Sequence, residues 1–428
     1  MGRPRSDTVY KALQTAAIAL LLMLAAGILQ IGAGPYIAFA YCGSFLVFAS
    51  SRPSKRDLLI CTALGFTFAN VYHFSHGSMI YFFGAWVAIP GAFLGMGAVQ
   101  LAASRWIWAS DTTIKRVTLT NMLHCALIPL LCMGSMITVG LAAYVTPITY
   151  DRVVFAFDLH LDPAGPSWRL GTFFRAHSWF YWLCGHVYNS LPLALSACLA
   201  LQWREERKRF PVDLGVLFLA LGIVGFALYQ ICPVSGPVYL FPHDYPAHLP
   251  TLSNPGPSPL AVFPRNGMPS LHVAWTFLLL WNLRTRPILA PLAAIFLLLT
   301  GLATLGFGEH YLADLIVAIP LALTMQAGFL KSRDAFRTAA LASGSALTLA
   351  WLIAFRTGAA LSFPSGGPLW VMVAATIWLP LRLVWQSEKS ALSAPRTSTA
   401  PAHSETPIES ASAPPVQTPD AALQSHPR

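Results

Sequence analysis

Long apolar runs separated by short polar connections recur along the whole sequence. Most of these runs are close to the length that an α-helix needs to cross a bilayer, about 20 residues. By this rule we expect about twelve transmembrane helices, at positions 9–28, 36–49, 58–74, 79–103, 118–144, 180–201, 212–232, 270–283, 288–305, 310–330, 335–355 and 369–385. The pattern predicts an all-α fold, namely a polytopic helical bundle in a membrane.

The amino-acid composition supports the same class of protein. Of the 428 residues, 55% are hydrophobic and only 10% are charged. The net charge of +10 would suit a nucleic-acid partner, but the basic residues lie in short connections, where they set the orientation of a membrane protein. The seven cysteines include no Cys-x-x-Cys pair, so neither a disulfide framework nor a zinc site is indicated. No nucleic-acid partner is expected.

Lysines and arginines are concentrated in alternate connections. The even-numbered connections are rich in them, at 52–56, 115–116, 204–209, 284–286 and 331–337, whereas HFSHGS and GFGEH contain none. Because basic connections stay inside, both termini are expected in the cytoplasm. Two long connections, 145–179 and 233–268, then lie on the external side of the membrane. Connections of this length are usually functional or disordered. Residues 387–428 are rich in Ser, Ala, Pro and Thr, which predicts a disordered cytoplasmic tail.

A first candidate for chemistry is the segment RNGMPSLHVAW at 265–275. Pro269 suits the first turn of a helix, and the free N–H groups of that turn, with Ser270, form a natural site for an anion. His272 lies in the same turn and would face that anion. On its own, the motif fits a plain helix start with a buried, hydrogen-bonded histidine equally well.

A second candidate is GFGEHYLAD at 306–314. His310 and Asp314 are four residues apart, so they share one helix face, and a neighbouring Asp fixes the tautomer of a histidine and supports its cationic form. An incidental pair at the membrane interface is the other interpretation. The connection 284–286 turns the chain back, so His272 and this pair should meet on the external side. Two histidines and an Asp beside a helix N-terminus would suit phosphoryl transfer through a phosphohistidine, without a metal.

The motifs MPSLH and HYLAD resemble those of the type 2 phosphatidic acid phosphatase superfamily. The stretches YDRVVFAFDLHL, HVYNSLPLAL and CPVSGPVYLF resemble its inositol phosphotransferase branch, which includes inositol phosphorylceramide synthase. The resemblance covers about 118–330 and implies a six-helix catalytic core. It also implies that His310 is the nucleophile, that Asp314 orients it, that His272 is the acid and base, and that Ser270 lines the phosphate site.

The sequence departs from the wider superfamily at its phosphate-binding cations. The motif Lys-x6-Arg-Pro is absent, and Thr304 stands where an Arg usually precedes the nucleophile by six residues. Arg265, Arg169 and Arg175 lie in the external connections and are candidates to bind the phosphate instead. For each of them, a solvated or lipid-headgroup arginine is an equally good interpretation.

The predicted organisation is therefore N-terminal transmembrane helices (1–117), a lipid phosphatase or inositol phosphotransferase-like core (118–330), C-terminal transmembrane helices (331–386) and the tail (387–428). The predicted function is a membrane phosphotransferase that acts on a lipid-linked phosphate or phosphodiester, with an alcohol such as inositol as acceptor or donor headgroup. No cofactor and no metal are implied. The resemblance implies the bacterial inner (plasma) membrane, and the alternation of basic connections places the active site on its external face.

Three alternatives remain at this level. A lipid phosphate phosphatase would use water as the acceptor at the same site. A proton-coupled transporter would share the span count and the intramembrane His and Asp, although these residues cluster at one membrane face rather than at the midplane. A non-catalytic scaffold would have no need for the three catalytic-type residues.

Overall fold

The structure, a computed structural model, describes residues 34–76, 85–109, 111–205, 210–260 and 263–393. Within them the chain forms fifteen α-helices and one short antiparallel strand pair. In chain order these are α1 (Gly34–Ser50), α2 (Lys55–His76), α3 (Ala85–Trp108), α4 (Thr112–Val145), β1 (Ile148–Thr149), α5 (Asp151–Leu161), α6 (Pro166–Ala176), α7 (Ser178–Asn189), α8 (Leu191–Arg204), α9 (Leu214–Leu228), α10 (Pro237–Leu240), β2 (Ser258–Pro259), α11 (Leu271–Leu283), α12 (Leu289–Gly306), α13 (Leu312–Phe329), α14 (Ala335–Thr357), a 3-10 turn (Ala359–Ser362) and α15 (Gly367–Ser393).

The predicted all-α class is confirmed, and the helices include several that suit a membrane. Five of them, α4, α12, α13, α14 and α15, are long and apolar enough to cross a bilayer. The pair α7 and α8 would count as a sixth if it forms one broken span. These helices indicate an integral membrane protein. The predicted count of about twelve spans is not confirmed. Helices α1, α9 and α11 are shorter, α2 and α3 are not among these five, and the first predicted run lies outside the described residues.

The predicted span 180–201 is broken in the structure. Helix α7 ends at Asn189, α8 begins at Leu191, and their axes differ by 47°. Pro192 occupies the first turn of α8, where a proline cannot donate to the preceding helix and its ring collides with the carbonyl four residues earlier. The local sequence therefore ends α7 at this point and leaves Tyr188 in its last turn.

The first long connection is largely helical and packs against the second. It contains α5 and α6, and β1 pairs with β2 of the second connection through Ile148 and Pro259. The buried carboxylate of Asp151 accepts hydrogen bonds from the N–H groups of Ser235 (3.0 Å) and Gly236 (2.8 Å). These links hold both connections over one end of the helical bundle.

Helices α11 and α13 lie together in the core and are joined at both ends. At one end, the Ser270 N–H donates to the Asp314 carbonyl (3.1 Å). At the other end, the Asn282 amide donates to Gln326 Oε1 (3.0 Å). Gln326 in turn donates to Glu388 of α15 (3.0 Å), which also accepts from the Trp281 indole (3.0 Å). The C-terminal helix is thus tied to the core by buried polar groups.

The last helix extends further than the sequence suggested. Helix α15 continues to Ser393, so position 387 lies inside a helix and not at the start of a tail. Ser387 is buried and donates to Asp334 at the start of α14 (3.1 Å). The remainder of the predicted tail lies outside the described residues.

Candidate active site

The backbone of His310 is fixed by the turn that joins α12 to α13. The N–H groups of Glu309 and His310 both donate to the carbonyl of Thr304, each at 3.1 Å. The Ser167 hydroxyl of α6 donates to the carbonyl of His310 at 2.9 Å. Thr304, at the position where the superfamily usually has an Arg, therefore places the histidine through its main chain.

The side chains of His310 and Asp314 form a buried pair. Nδ1 of His310 lies 3.3 Å from Oδ2 of Asp314, with 1% and 0% of the side chains exposed. The same Oδ2 accepts the Tyr311 N–H at 2.8 Å, so the carboxylate is held in place. Because Nδ1 donates to the carboxylate, the lone pair of the neutral ring is on Nε2.

Nε2 of His310 faces the N-terminus of α11. It lies 3.3 Å from Oγ of Ser270, the N-cap residue directly before this helix. The first N–H groups of any α-helix have no partner within the helix, and together with the helix dipole they favour an anion. A phosphate bound at this helix start would therefore lie next to the lone pair of Nε2.

His272 lies on the first turn of α11, and its ring centroid is 6.5 Å from that of His310. Tyr188 stacks on the His272 ring at 4.2 Å with an interplanar angle of 18°. The Tyr188 hydroxyl is 3.4 Å from Nδ1, at the long end of the hydrogen-bonding range. Nε2 is buried and forms no hydrogen bond with any described residue, so it is the ring nitrogen that could still bind a substrate.

A cleft of about 580 Å³ reaches this region between α6, α7 and the end of α12. Its wall includes Tyr188, which stacks on His272, and Glu309, the chain neighbour of His310. The Tyr239 hydroxyl donates to the Glu309 carboxylate at 3.0 Å. Burial raises the pKa of Glu309 above its usual range, against the opposing effects of His310 and the Tyr239 hydrogen bond. The cleft thus reaches residues that directly neighbour both histidines, although neither histidine lines it.

The three candidate arginines have different surroundings. Arg265 is fully buried and donates to Ser235 Oγ and to three backbone carbonyls, all at 3.0–3.1 Å, so its donors tie the two long connections together. Arg169 is 65% exposed and lies 3.4 Å from Asp162. Arg175 lines the cleft. Of the three, Arg175 alone combines a position on the cleft with an exposed side chain.

Several residues at the site were not singled out in the sequence. Asp158 of α5 accepts the N–H groups of Leu312 (2.7 Å) and Ala313 (3.0 Å), so it caps α13 beside His310. The sequence does point to Asp158, because a carboxylate inside the apolar stretch FAFDLHL needs a buried partner. Glu309 directly precedes the nucleophile candidate, but its contact with Tyr239 depends on the fold of the second long connection. Arg265 is a sequence-based candidate, but its contacts with distant carbonyls likewise depend on the fold.

Residues 158–328 match the family model of the PAP2 superfamily. The matched segment is less than half of the chain and contains His272, His310 and Asp314. It does not distinguish the inositol phosphotransferase branch from the rest of the superfamily. Searches of curated proteins and of solved structures gave no match. Together with the apolar helices, the family match indicates a membrane phosphatase or phosphotransferase that acts on lipid phosphates.

Proposed function

We propose that the protein transfers a phosphorus-containing group from a membrane lipid through a covalent intermediate on His310, with an alcohol such as inositol as acceptor or donor headgroup. The observation that carries this proposal is the two-sided environment of one ring: Nδ1 is paired with Asp314, while Nε2 faces Ser270 at the start of α11. A histidine oriented in this way is equipped to act as a nucleophile.

In the first step, Nε2 of His310 attacks phosphorus and the bond from phosphorus to the leaving oxygen breaks. His272 gives a proton from Nε2 to the departing oxygen, which then leaves as an alcohol. Asp314 stabilises the positive charge that the His310 ring acquires, as a carboxylate does for an imidazolium. The N–H groups at the start of α11 stabilise the negative charge on the phosphate oxygens.

In the second step, an acceptor hydroxyl attacks the phosphorus bound to His310. The new phosphorus–oxygen bond forms as the phosphorus–nitrogen bond breaks, and the hydroxyl proton passes to Nε2 of His272. Both histidines are then in their starting states. Water at the same position would give the phosphatase reaction, so the acceptor decides between transferase and phosphatase. Arg175 is the candidate cation on the path of the anionic substrate.

We further propose that both termini are cytoplasmic and that the site opens at the external face of the membrane. The alternation of basic connections supports this orientation. The first apolar run, helices α2 and α3, and the shorter helices α1, α9 and α11 complete a count of about twelve spans in this arrangement. The catalytic core would extend over about 118–330, with flanking helices on each side.

The decisive experiment is to trap the intermediate. Purified protein in detergent is mixed with phosphatidic acid that carries labelled phosphorus, quenched at high pH, where phosphohistidine survives, and mapped by peptide. We expect label on His310 and none in His310→Ala. Asp314→Asn should keep the fold but slow labelling by about 10² to 10⁴, the range for positioned acid–base groups. Label on His272 would exchange the two roles, and full activity of His310→Ala would exclude the mechanism.

A further inference from the structure

Helix α1 lies outside the segment that matches the PAP2 superfamily, yet it reaches the candidate site. Tyr36, in its first turn, presents its ring to His272 with centroids 5.8 Å apart and an interplanar angle of 64°. Tyr188 stacks on the same imidazole at 4.2 Å. Two aromatic rings therefore contact His272, one face to face and one edge-on, and such contacts stabilise a defined ring geometry.

The position of α1 is fixed by close helix packing around two glycines. A Cβ on Gly43 of α1 would lie 2.1 Å from Oγ of Ser196 in α8. A Cβ on Gly95 of α3 would lie 1.7 Å from the carbonyl oxygen of Tyr41 in α1. Both approaches require the absence of a side chain, as small residues allow at membrane helix interfaces. These contacts set how far along the bundle α1 lies and hence where Tyr36 stands.

His272 depends on this packing more than His310 does. His310 has Asp314 at Nδ1 and Ser270 at Nε2. Nε2 of His272 forms no hydrogen bond with the described residues, and the contact of Nδ1 with the Tyr188 hydroxyl is 3.4 Å. The orientation of the His272 ring therefore rests on the aromatic rings around it.

We propose that Tyr36 is a positioning residue for His272, so that helix α1 forms part of the catalytic unit. This inference rests on the proposed function, in which His272 protonates the leaving oxygen. The aromatic ring of Tyr36, rather than its hydroxyl, supplies the effect, because the edge-on contact is made by the ring. Loss of the ring should slow only those steps that need a correctly aimed proton.

The test compares two substrates in a single-turnover burst. Phosphatidic acid releases an alkyl alcohol, which needs protonation, whereas p-nitrophenyl phosphate releases a stable phenolate, which does not. For Tyr36→Ala and Tyr36→Leu we expect the burst rate on phosphatidic acid to fall at least about tenfold, within the range of acid–base effects. The burst of p-nitrophenolate should stay within about twofold, and Tyr36→Phe should restore the rate on phosphatidic acid.

Phe48→Ala is the matched control. Phe48 is a buried aromatic residue of the same helix and lies roughly 18 Å further along it, at 1.5 Å per residue. It should affect stability without a preference between the substrates. An equal fall on both substrates, no fall on either, or the same preference in Phe48→Ala would overturn the inference. Label on His310 from phosphatidic acid in the wild type shows separately that the proposed function holds.

Discussion

At the scale of single residues, the two histidines of the site are held in different ways. His310 has a protein group at each ring nitrogen, Asp314 at one and Ser270 at the other. His272 is held by the stacked ring of Tyr188, and its Nε2 is left for the substrate. A nucleophile benefits from a fixed direction of attack, whereas a group that gives and regains a proton needs an open nitrogen.

Glu309 leads to a prediction about pH. Because burial raises its pKa, Glu309 keeps its proton to a higher pH than an ordinary glutamate and becomes negative as the pH rises through that raised value. A negative charge beside an anionic phosphate weakens binding. We expect the KM for phosphatidic acid to increase with pH in the wild type and to increase less in Glu309→Gln, which stays neutral. Steady-state kinetics over a pH series measure this difference.

The substrate's own titration is common to both proteins and cancels in the comparison. Asp244→Asn, which also replaces a carboxyl by an amide but in the second long connection, should keep the wild-type profile. Identical KM profiles for Glu309→Gln and the wild type would contradict the assigned role of Glu309.

The residues that sequence could suggest are those whose partners are close along the chain. Asp314 is one helical turn from His310, so the spacing alone predicts that the two side chains are neighbours. Tyr36 contacts His272 only because α1 packs on α3 and α8, and no local pattern encodes that contact. Arg265 was a reasonable candidate for phosphate as an arginine in an external connection, but its donors are directed to carbonyls that only the folded chain brings together.

At the scale of elements, α13 depends on a cap from another helix. Its first N–H groups are accepted by Asp158 of α5. Asp158→Ala should lower the free energy of unfolding by about 1 to 2 kcal/mol, as the loss of a helix cap does. It should also slow the reaction, because the capped turn follows directly on His310. Thermal unfolding in detergent and the labelling rate measure the two effects.

Asp213 provides a matched control at another helix. It caps α9 by accepting the N–H groups of Gly215 and Val216. Asp213→Ala should therefore cost a similar free energy and leave the labelling rate of folded protein near that of the wild type. If both variants slow labelling equally, the effect of Asp158 is one of global stability only.

Hydropathy located most elements but not their interruptions. Runs of apolar residues gave the long helices, since length and apolarity decide whether a helix can cross a bilayer. Pro192 lies within an apolar run that is otherwise long enough for one span, so hydropathy alone does not show the break before it. Helices α5 and α6 lie in a long connection without a predicted span, because short helices with a polar face give little hydropathy signal.

At the scale of the whole molecule, the end of α15 determines where the chain can be cut. Glu388 is buried, forms an ion pair with Arg284 and accepts from Trp281 and Gln326. A chain that ends after Ser393 retains these contacts and should keep its stability and activity. A chain that ends after Gln386 loses Ser387 and Glu388 and leaves Arg284 without its partner. We expect the free energy of unfolding to fall by several kcal/mol, as for a broken buried ion pair. The unfolding temperature should fall with it.

Detergent-solubilised thermal scans of both truncated chains test this prediction. Equal stability of the two would show that the buried contacts of Glu388 contribute little. Loss of activity in the chain that ends at Ser393, despite normal unfolding, would assign a role to the residues beyond it.

The orientation of the molecule can be measured independently of its chemistry. Reporter fusions should give a cytoplasmic signal at Arg333 and an external signal at Gly308, which flank α13. The basic residues around position 333 and their absence around position 308 are the reason. If both fusions report the same side of the membrane, α13 does not cross it and the proposed topology is excluded.

The double connection between α11 and α13 restricts how the site can move. Sliding of one helix past the other would break the Ser270–Asp314 link at one end and the Asn282–Gln326 link at the other. The spacing of the two histidines is therefore set by a rigid frame. Room for a lipid with two acyl chains has to come from the opposite wall, where α6 and the bent pair α7 and α8 form the cleft. We therefore expect the face formed by α11 and α13 to keep its shape when a lipid enters from the side of α6.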